Sequence, residues 1–227
     1  MKSSVVICAY NEDKTIRDVL VSVSDCKIFD EIIVVNDGSA DNTKEIIIDC
    51  KNELDIIDIH LPENKGKGFA MATGIEHAGN ELIVFCDADL SNLKREHFLQ
   101  LIKPIIRSDA KMVLGQPTET LINFHINPFK VLTGQRAVLR SDVLPIVEDM
   151  KTSKFGVETL INLYYEAQNK KVKHVKLKGL KHPTKFNKTN LSGAMKAFLF
   201  EGIQIALIVF NNLNLITKII SNRINNL

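Results

Sequence analysis

With 227 residues, 45% of them hydrophobic, the chain is long enough for one large α/β domain, or one domain with a small appendage, around a sizeable core. Its 29 basic side chains against 27 acidic ones leave a formal charge of only +2, which gives no case for nucleic-acid binding by bulk electrostatics. Cys8, Cys26, Cys50 and Cys86 form no C-x-x-C pair and read as small core hydrophobes of a reducing compartment, so a cytoplasmic location is expected.

Met1-Lys2-Ser3 leads straight into a strand, so no secretory leader is expected. No stretch reaches the roughly 18 uninterrupted apolar residues of a bilayer-spanning helix. In chain order, Ser4–Ala9 is a β-branched strand, Asp13–Val23 a helix, and Glu31–Val35 a second buried strand. Asp41-Asn42-Thr43 offers capping side chains for a helix to about Asp49. A strand follows at Asp55–His60, a helix at Gly66–His77, a strand at Leu82–Cys86, and a helix at Leu93–Ile106 that Pro104 kinks or ends early. Lys111–Gly115 is a fifth strand. Apolar strands alternating with helices imply a mostly parallel sheet covered on both faces.

After Gly115 the pattern loosens. Gln116–Lys130 is loop-like, Val131–Arg140 carries a strand, Ser141–Glu148 and Gly156–Gln168 are helical, and Val172–Leu177 is a strand. Residues 1–190 are expected to form the main domain, with a nucleotide-binding half at 1–115 and an acceptor half at 116–190. Residues 191–227 form a helical extension. Its stretch AFLFEGIQIALIVF reads as a helix packed on the domain, an interfacial membrane helix or a dimer contact. Lys170, Lys171, Lys173, Lys176, Lys178, Lys181, Lys185 and Lys188 form either a solvated face or a surface for a phosphate-bearing or membrane-bound substrate.

Ligands of such sheets bind beyond the carboxyl ends of the strands. Tyr10-Asn11-Glu12, Asn36-Asp37-Gly38-Ser39, Asn64-Lys65-Gly66-Lys67-Gly68 and Asp87-Ala88-Asp89 follow the first four strands, and the topology gathers them along one edge. Two carboxylates at 87 and 89 point the same way in an extended segment and repel unless a cation intervenes. A hard Mg²⁺ or Mn²⁺ suits such oxygens and leaves positions for phosphate. Singly, each cluster also reads as ordinary turn chemistry: an Asx-turn at Asp37, a glycine-rich turn at Lys67. Neither G-x-G-x-x-G nor G-x-x-x-x-G-K-[ST] occurs, which argues against a dinucleotide-dependent dehydrogenase and a P-loop NTPase.

VVICAYNEDKTI, EIIVVNDGSADNT, NKGKGFAMATGIEHA and LIVFCDADL, in that order, resemble glycosyltransferase family 2 with its GT-A fold. LTGQRAVLRSDVL and FGVETLINLYYEA are similar to its polyprenyl-phosphate sugar transferases and glucosyl-3-phosphoglycerate synthases. The resemblance implies that Ala9, Tyr10, Asn11, Glu12 and Asp37 line the nucleotide site, with Lys67 and Gly68 near the base, ribose or diphosphate. It puts Asp87 and Ala88 by the ribose or sugar, Asp89 on a metal, and Gly134, Gln135 and Arg136 near donor sugar and acceptor. Glu158 falls near the transferred sugar, and His182 resembles a late His that completes the metal shell in some relatives. Three departures stand out. Cys8 replaces a proline of many relatives, which relaxes the end of the first strand. Asn36 replaces a frequent Asp. Glu148-Asp149 matches the Glu-Asp base of inverting members literally but stands at the wrong place.

The activity so implied is metal-dependent transfer of a hexose from a nucleoside diphosphate sugar to a small-molecule or lipid-phosphate acceptor. Inversion and retention both stay open. Asp89, with Asp87 and His182, would hold the metal, Arg136 would stabilise phosphate charge, and Glu158 would bind sugar hydroxyls or act on the acceptor. Contact with the inner face of a membrane and a homo-oligomer are the further partners expected. A catalytically silent sugar-nucleotide-binding protein is the rival of another class; a sugar-phosphate nucleotidyltransferase would carry a glycine-rich, Arg-containing loop where Tyr10-Asn11-Glu12 stands.

Overall fold

The computed structural model describes residues 1–119, 133–181 and 202–225. Its first half alternates strand and helix: β1 (Ser3–Ala9), α1 (Ile16–Asp25), β2 (Glu31–Asn36), α2 (Thr43–Lys51), β3 (Ile57–His60), α3 (Lys67–His77) and β4 (Leu82–Asp87). These four strands are mutually parallel: β1 lies between β2 and β4, and β2 pairs with β3. After α4 (Arg95–Ile106) come β5 (Met112–Glu119), β6 (Arg136–Leu139), α5 (Arg140–Val143), α6 (Val147–Thr152), α7 (Val157–Ala167) and β7 (Val172–Lys181). Helices α8 (Gly202–Asn211) and α9 (Leu213–Asn225) complete the described chain. The seven strands form one sheet in the order β3-β2-β1-β4-β6-β5-β7.

Period-two alternation divides the core between the two faces of this sheet. Val5, Ile7 and Ala9 of β1, Ile32 and Val34 of β2, and Leu82, Val84 and Cys86 of β4 pack in one cluster with α1, α2 and α4. Val6, Ile33, Val35, Ile83 and Phe85 face the other way, against α3, α6 and α7. The same alternation puts Asp87, two residues beyond Phe85, on the α3 face at the end of β4.

Several expected boundaries move. The sheet is mostly parallel, as expected, with β6 alone running antiparallel, between β4 and β5. β5 does not stop at Gly115 but continues to Glu119 alongside β7, with an irregularity between Pro117 and Glu119. A proline is tolerated at such a break because its missing N–H costs no ladder bond there. β7 likewise runs past Leu177 to Lys181, and as an edge strand it carries exposed Lys173, Lys176, Lys178 and Lys181. Lysines of that kind blunt an edge against pairing with other chains, which gives the basic run a reason independent of substrate. The helix expected at Ser141–Glu148 breaks at Leu144-Pro145-Ile146, a single 3₁₀ turn between α5 and α6. Pro104 sits in the last turn of α4 without stopping it. Much of the loop expected at Gln116–Lys130, together with Lys185, Lys188 and the start of the C-terminal stretch, lies outside the described residues.

Candidate active site

The loops after β1 and β2 are locked to each other before they offer anything to a ligand. Asn11, in a left-handed conformation at φ 55°, donates its N–H to Ser39 Oγ and accepts from Ala40 N–H, both at 2.9 Å. Glu12 N–H donates to Thr43 Oγ1 at 2.8 Å, and its carbonyl accepts from Thr15 and Ile16 as α1 begins. The Asp13–Thr15 turn therefore precedes α1 instead of belonging to it. Capping of α2 falls to Asp41, which accepts from Thr43 N–H and Oγ1, and not to Asn42. Ala9 is buried at the end of β1, whereas Tyr10 is exposed on the rim.

Asn36 explains its own departure from the family's Asp. It accepts from Ser39 N–H at 3.1 Å and faces His60 Nδ1 across the β2–β3 register at 3.4 Å. His60 Nε2 meets Asp58 Oδ2 at 3.1 Å, so Nε2 carries the proton and Nδ1 accepts from the Asn36 amide. A carboxylate at position 36 has no proton to give there. Neither His60 nor this network was singled out from sequence; the pairing of two strand ends was its only signal.

Asp37 is almost wholly buried, and both its oxygens are used on the next loop: Lys65 N–H donates to Oδ1 at 2.8 Å and Gly66 N–H to Oδ2 at 2.9 Å. Burial raises its pKa against the lowering effect of these two bonds. Asp37 thus fixes the turn, Gly66 at φ 97°, that launches α3. Gly68, expected beside the donor, is taken up by helix packing: a Cβ there would lie 2.2 Å from the Met150 carbonyl oxygen of α6.

The turn delivers Lys67 to the centre of the site. Its ammonium donates to Asp87 Oδ1 at 2.9 Å and to Glu158 Oε1 at 2.7 Å, joining residues 20 and 91 positions away. The three side chains are 26%, 15% and 11% exposed, so the ion pairs are shielded yet reachable. Burial opposes the Lys67 charge, but the carboxylates of Asp87 and Glu158 outweigh it and hold its pKa well above the ordinary lysine range. Gln135 Nε2 donates to the second oxygen of Asp87 at 3.0 Å. Gly134 lies against the same carboxylate: a Cβ would sit 2.1 Å from Oδ1 and 2.4 Å from Oδ2. Gly134→Ala is therefore expected to push Asp87 off Lys67 and Gln135 and to lower kcat/KM by about a hundredfold with the fold retained, a 1 Å misplacement costing that much. Steady-state kinetics beside a circular-dichroism melt would check this.

Arg136 has no exposed surface. It alternates with Val138 onto the α7 side of the sheet, donates Nη2 to the Thr133 carbonyl at 2.8 Å, and lies under the face of α7 that carries Glu158, Asn162 and Tyr165. Burial lowers its pKa while Glu158 and Asp87 pull it back up. Arg136, expected near donor sugar and acceptor, lies behind the two carboxylates in the structure, and its charge acts on them through the field.

β4 ends at Asp87, and Ala88-Asp89 form a turn, so the extended-segment argument for two carboxylates pointing alike does not carry to Asp89. Thr15 Oγ1 pins that turn by donating to the Ala88 carbonyl at 2.9 Å. Among the described residues no three His, Cys, Asp or Glu side chains converge as a metal cluster, and His182 lies outside them. Asp89 is half-buried, with Oδ1 shielded from solvent, beside Asp87, both of whose oxygens already accept bonds. One or two carboxylates completed by substrate phosphates and water is an ordinary way to hold Mg²⁺ or Mn²⁺. The donor set is of the kind that would fit such an ion, and Asp89 is the carboxylate that would hold it.

Cys8 pairs with Val35 and Asp87 in unbroken β1, so loss of the family's proline does not loosen the strand end. Burial pushes its thiol up to about 12, Lys67 pulls it down, and Asp87 and Asp37 raise it further. The thiolate is scarce below that pH, so native protein at pH 8 is expected to react with iodoacetamide at Cys8 at least about tenfold more slowly than denatured chain, as read by mass spectrometry.

The model of "Glycosyl transferase family 2" matches residues 4–203. Poly-beta-1,6-N-acetyl-D-glucosamine synthase of Staphylococcus epidermidis is 42% identical over 87 residues, 38% of this chain and 21% of its own length. The Staphylococcus aureus protein of the same name is 42% identical over 85 residues. The chain thus spans about a fifth of the length of these relatives. The fold superposes on glucosyl-3-phosphoglycerate synthase from Mycobacterium tuberculosis in complex with Mn²⁺, UDP-glucose and glycerol 3-phosphate, with a TM-score of 0.72 at 20% identity over 92% of this chain and 79% of that one. Staphylococcus aureus TarS 1-349 gives a TM-score of 0.61 at 20% identity over 77% and 58%.

Proposed function

The chain belongs to glycosyl transferase family 2, and from that premise we propose that it transfers a hexose from a nucleoside diphosphate sugar, of the UDP-glucose or GDP-mannose type, to a phosphate-bearing acceptor, small or lipid-linked. The observation that carries the reading is the Lys67 ammonium held between Asp87 and Glu158 at the carboxyl end of β4. A sugar nucleotide that departs as a diphosphate gains charge on its leaving oxygens, and a fixed, shielded cation stabilises charge developing there. The loops carrying Tyr10, Asn36–Ser39 and Lys65–Lys67 wall the same strand ends, where a nucleotide is bound in open α/β sheets. Glu158, at the start of α7, accepts sugar hydroxyls or orients the acceptor. An acceptor that is already a phosphate needs little deprotonation, which suits a site without a Glu-Asp base: Glu148 and Asp149 open α6.

Asp89, with Asp87 beside it, would hold a Mg²⁺ or Mn²⁺, which would supply positive charge to stabilise a departing diphosphate. A retaining transfer of the glucosyl-3-phosphoglycerate synthase kind is the second reading, favoured by the fold match to an enzyme crystallised with UDP-glucose and a phosphate-bearing acceptor. The test is a panel of UDP- and GDP-sugars with and without Mn²⁺, scored first by thermal shift and then by release of UDP or GDP with phosphoglycerate, glycerol phosphate or a short polyprenyl phosphate. A donor that binds but is never hydrolysed or transferred would leave a sugar-nucleotide-binding protein in its place.

A further inference from the structure

We propose that α8 and α9 form a lipid-docking face, which seats the rim of the site on an anionic bilayer surface and makes the natural acceptor an amphiphile. Helix α8 is apolar almost all round, with Ile203, Ile205, Ala206, Leu207, Ile208, Val209 and Phe210 among its ten residues. A helix of that composition is normally covered on every side. Among the described residues one side is covered: Ile208 belongs to the core cluster on the α3 face of the sheet. Ile203, Leu207 and Phe210, at helical spacing on the other side, face solvent, Phe210 at 71% exposure. α9 repeats the arrangement. It is tied to α7 by Asn222 Nδ2 donating to the Ala167 carbonyl and Lys218 Nζ to Gln168 Oε1, yet it leaves Leu213, Ile220 and Ile224 exposed.

Three features point to a bilayer surface as the occupant. Residues 202–225 contain no Asp or Glu; their Arg223 is ion-paired with Glu166 of α7, which leaves the exposed Lys218 as the cation this face offers to anionic headgroups, and the face offers no acidic partner to a second copy. Among the described residues no single helix is long and apolar enough to cross a membrane; α8 and α9 have that length and composition only together, bent by 71° at the break, and Ile208 and Ile219 hold both against the domain, so they meet a bilayer from its surface. The face is also joined to the site. Ile208 packs into the notch at Gly156, where a Cβ would lie 2.3 Å from its Cγ1. Gly156 closes the turn carrying exposed Phe155, and two residues later Glu158 holds Lys67. A lipid whose tail lies in the bilayer under α8 presents its phosphate at that rim. The acceptor class rests on the transferase reading above; the docking does not.

The test is flotation of the full chain with vesicles of phosphatidylcholine and phosphatidylglycerol in equal parts, against phosphatidylcholine alone, with UDP-sugar hydrolysis measured in the same samples. The wild type is expected to float, more strongly with anionic vesicles. Leu207→Glu/Phe210→Glu, which alters exposed positions alone, is expected to lower partitioning at least about tenfold with an unchanged melt and unchanged vesicle-free hydrolysis. Wild type that stays in the aqueous phase, or a double variant that floats equally well, overturns the proposal. So does a wild-type dimer that the double variant splits while vesicles leave both untouched. Hydrolysis without flotation sinks the docking alone; flotation without hydrolysis of any donor sinks the transferase reading alone.

Discussion

Replacing Lys67 by methionine is expected to destabilise the fold by about 2–3 kcal/mol and to cut transfer by about two to three orders of magnitude. Removing one partner from a buried ion pair costs about 3–5 kcal/mol, because the charge left behind is unpaid in a poor solvent. Lys67 is 26% exposed, so water recovers part of that cost. For a chain of this size the deficit is a fall in Tm of about 5–10 °C. Asp87 and Glu158 would then share a shielded space with no cation between them, and Arg136, held behind Thr133, cannot move in to replace it. Lys67→Met/Glu158→Gln removes one of the stranded charges and is expected to recover part of the stability and none of the activity, because the cation facing the leaving group is still missing. The sign with pH is fixed by the raised Lys67 pKa: its contribution is full below the ordinary lysine value, flat through neutrality, and lost only as pH rises through the folded value. A Lys67→Met melt indistinguishable from wild type would mean the bridge does not hold in solution, and undiminished turnover would mean Lys67 does not face the donor.

The parts of this site that are local in the chain were legible before any coordinates. Asp37, Lys67, Asp87 and Asp89 each stand where an apolar run stops, and a parallel αβ pattern has only one edge at which such stops can meet. What the residues do to one another was not legible. Lys67 reads as a diphosphate ligand beside two glycines, and nothing in its neighbourhood announces Glu158, 91 residues away. Asp37 reads as a nucleotide contact, yet both its oxygens are bound by the backbone of the next loop, which only the β2–β3 arrangement could disclose. The burial of Arg136 was not legible: a guanidinium usually signals a surface, but this one opens a four-residue strand placed between two others. The antiparallel course of β6 is equally silent in the sequence, because a short buried strand has the same composition in either direction. Gly134 and Gly156 were ordinary glycines until the carboxylate of Asp87 and the side chain of Ile208 were seen against them.

Asp89→Ala separates the Lys67 ammonium from the metal ion that the proposed reaction would use. Asp89 sits in a turn that Thr15 fixes through the Ala88 carbonyl, so the substitution removes a carboxylate without touching the bond that shapes the loop. The ligand-free melt of each protein is the baseline from which its ligand-induced shift is read. Wild type at a hundredfold excess of UDP over its Kd, with Mn²⁺ present, gains about 2.7 kcal/mol by mass action, a rise of about 5–10 °C for a chain of this size. In Asp89→Ala the manganese-dependent part of that rise is expected to vanish, and turnover to fall about a thousandfold, comparable with removing a preorganised stabiliser of leaving-group charge. If the variant keeps both its manganese-coupled shift and its turnover while Lys67→Met is inactive, then Lys67 alone neutralises the leaving group and the metal has no part in it. If both variants fail, the ammonium at position 67 and the carboxylate at position 89 are both needed and neither replaces the other. That outcome is the one expected from a carboxylate at position 87 already occupied by Lys67 and Gln135 and a carboxylate at position 89 set apart in the following turn.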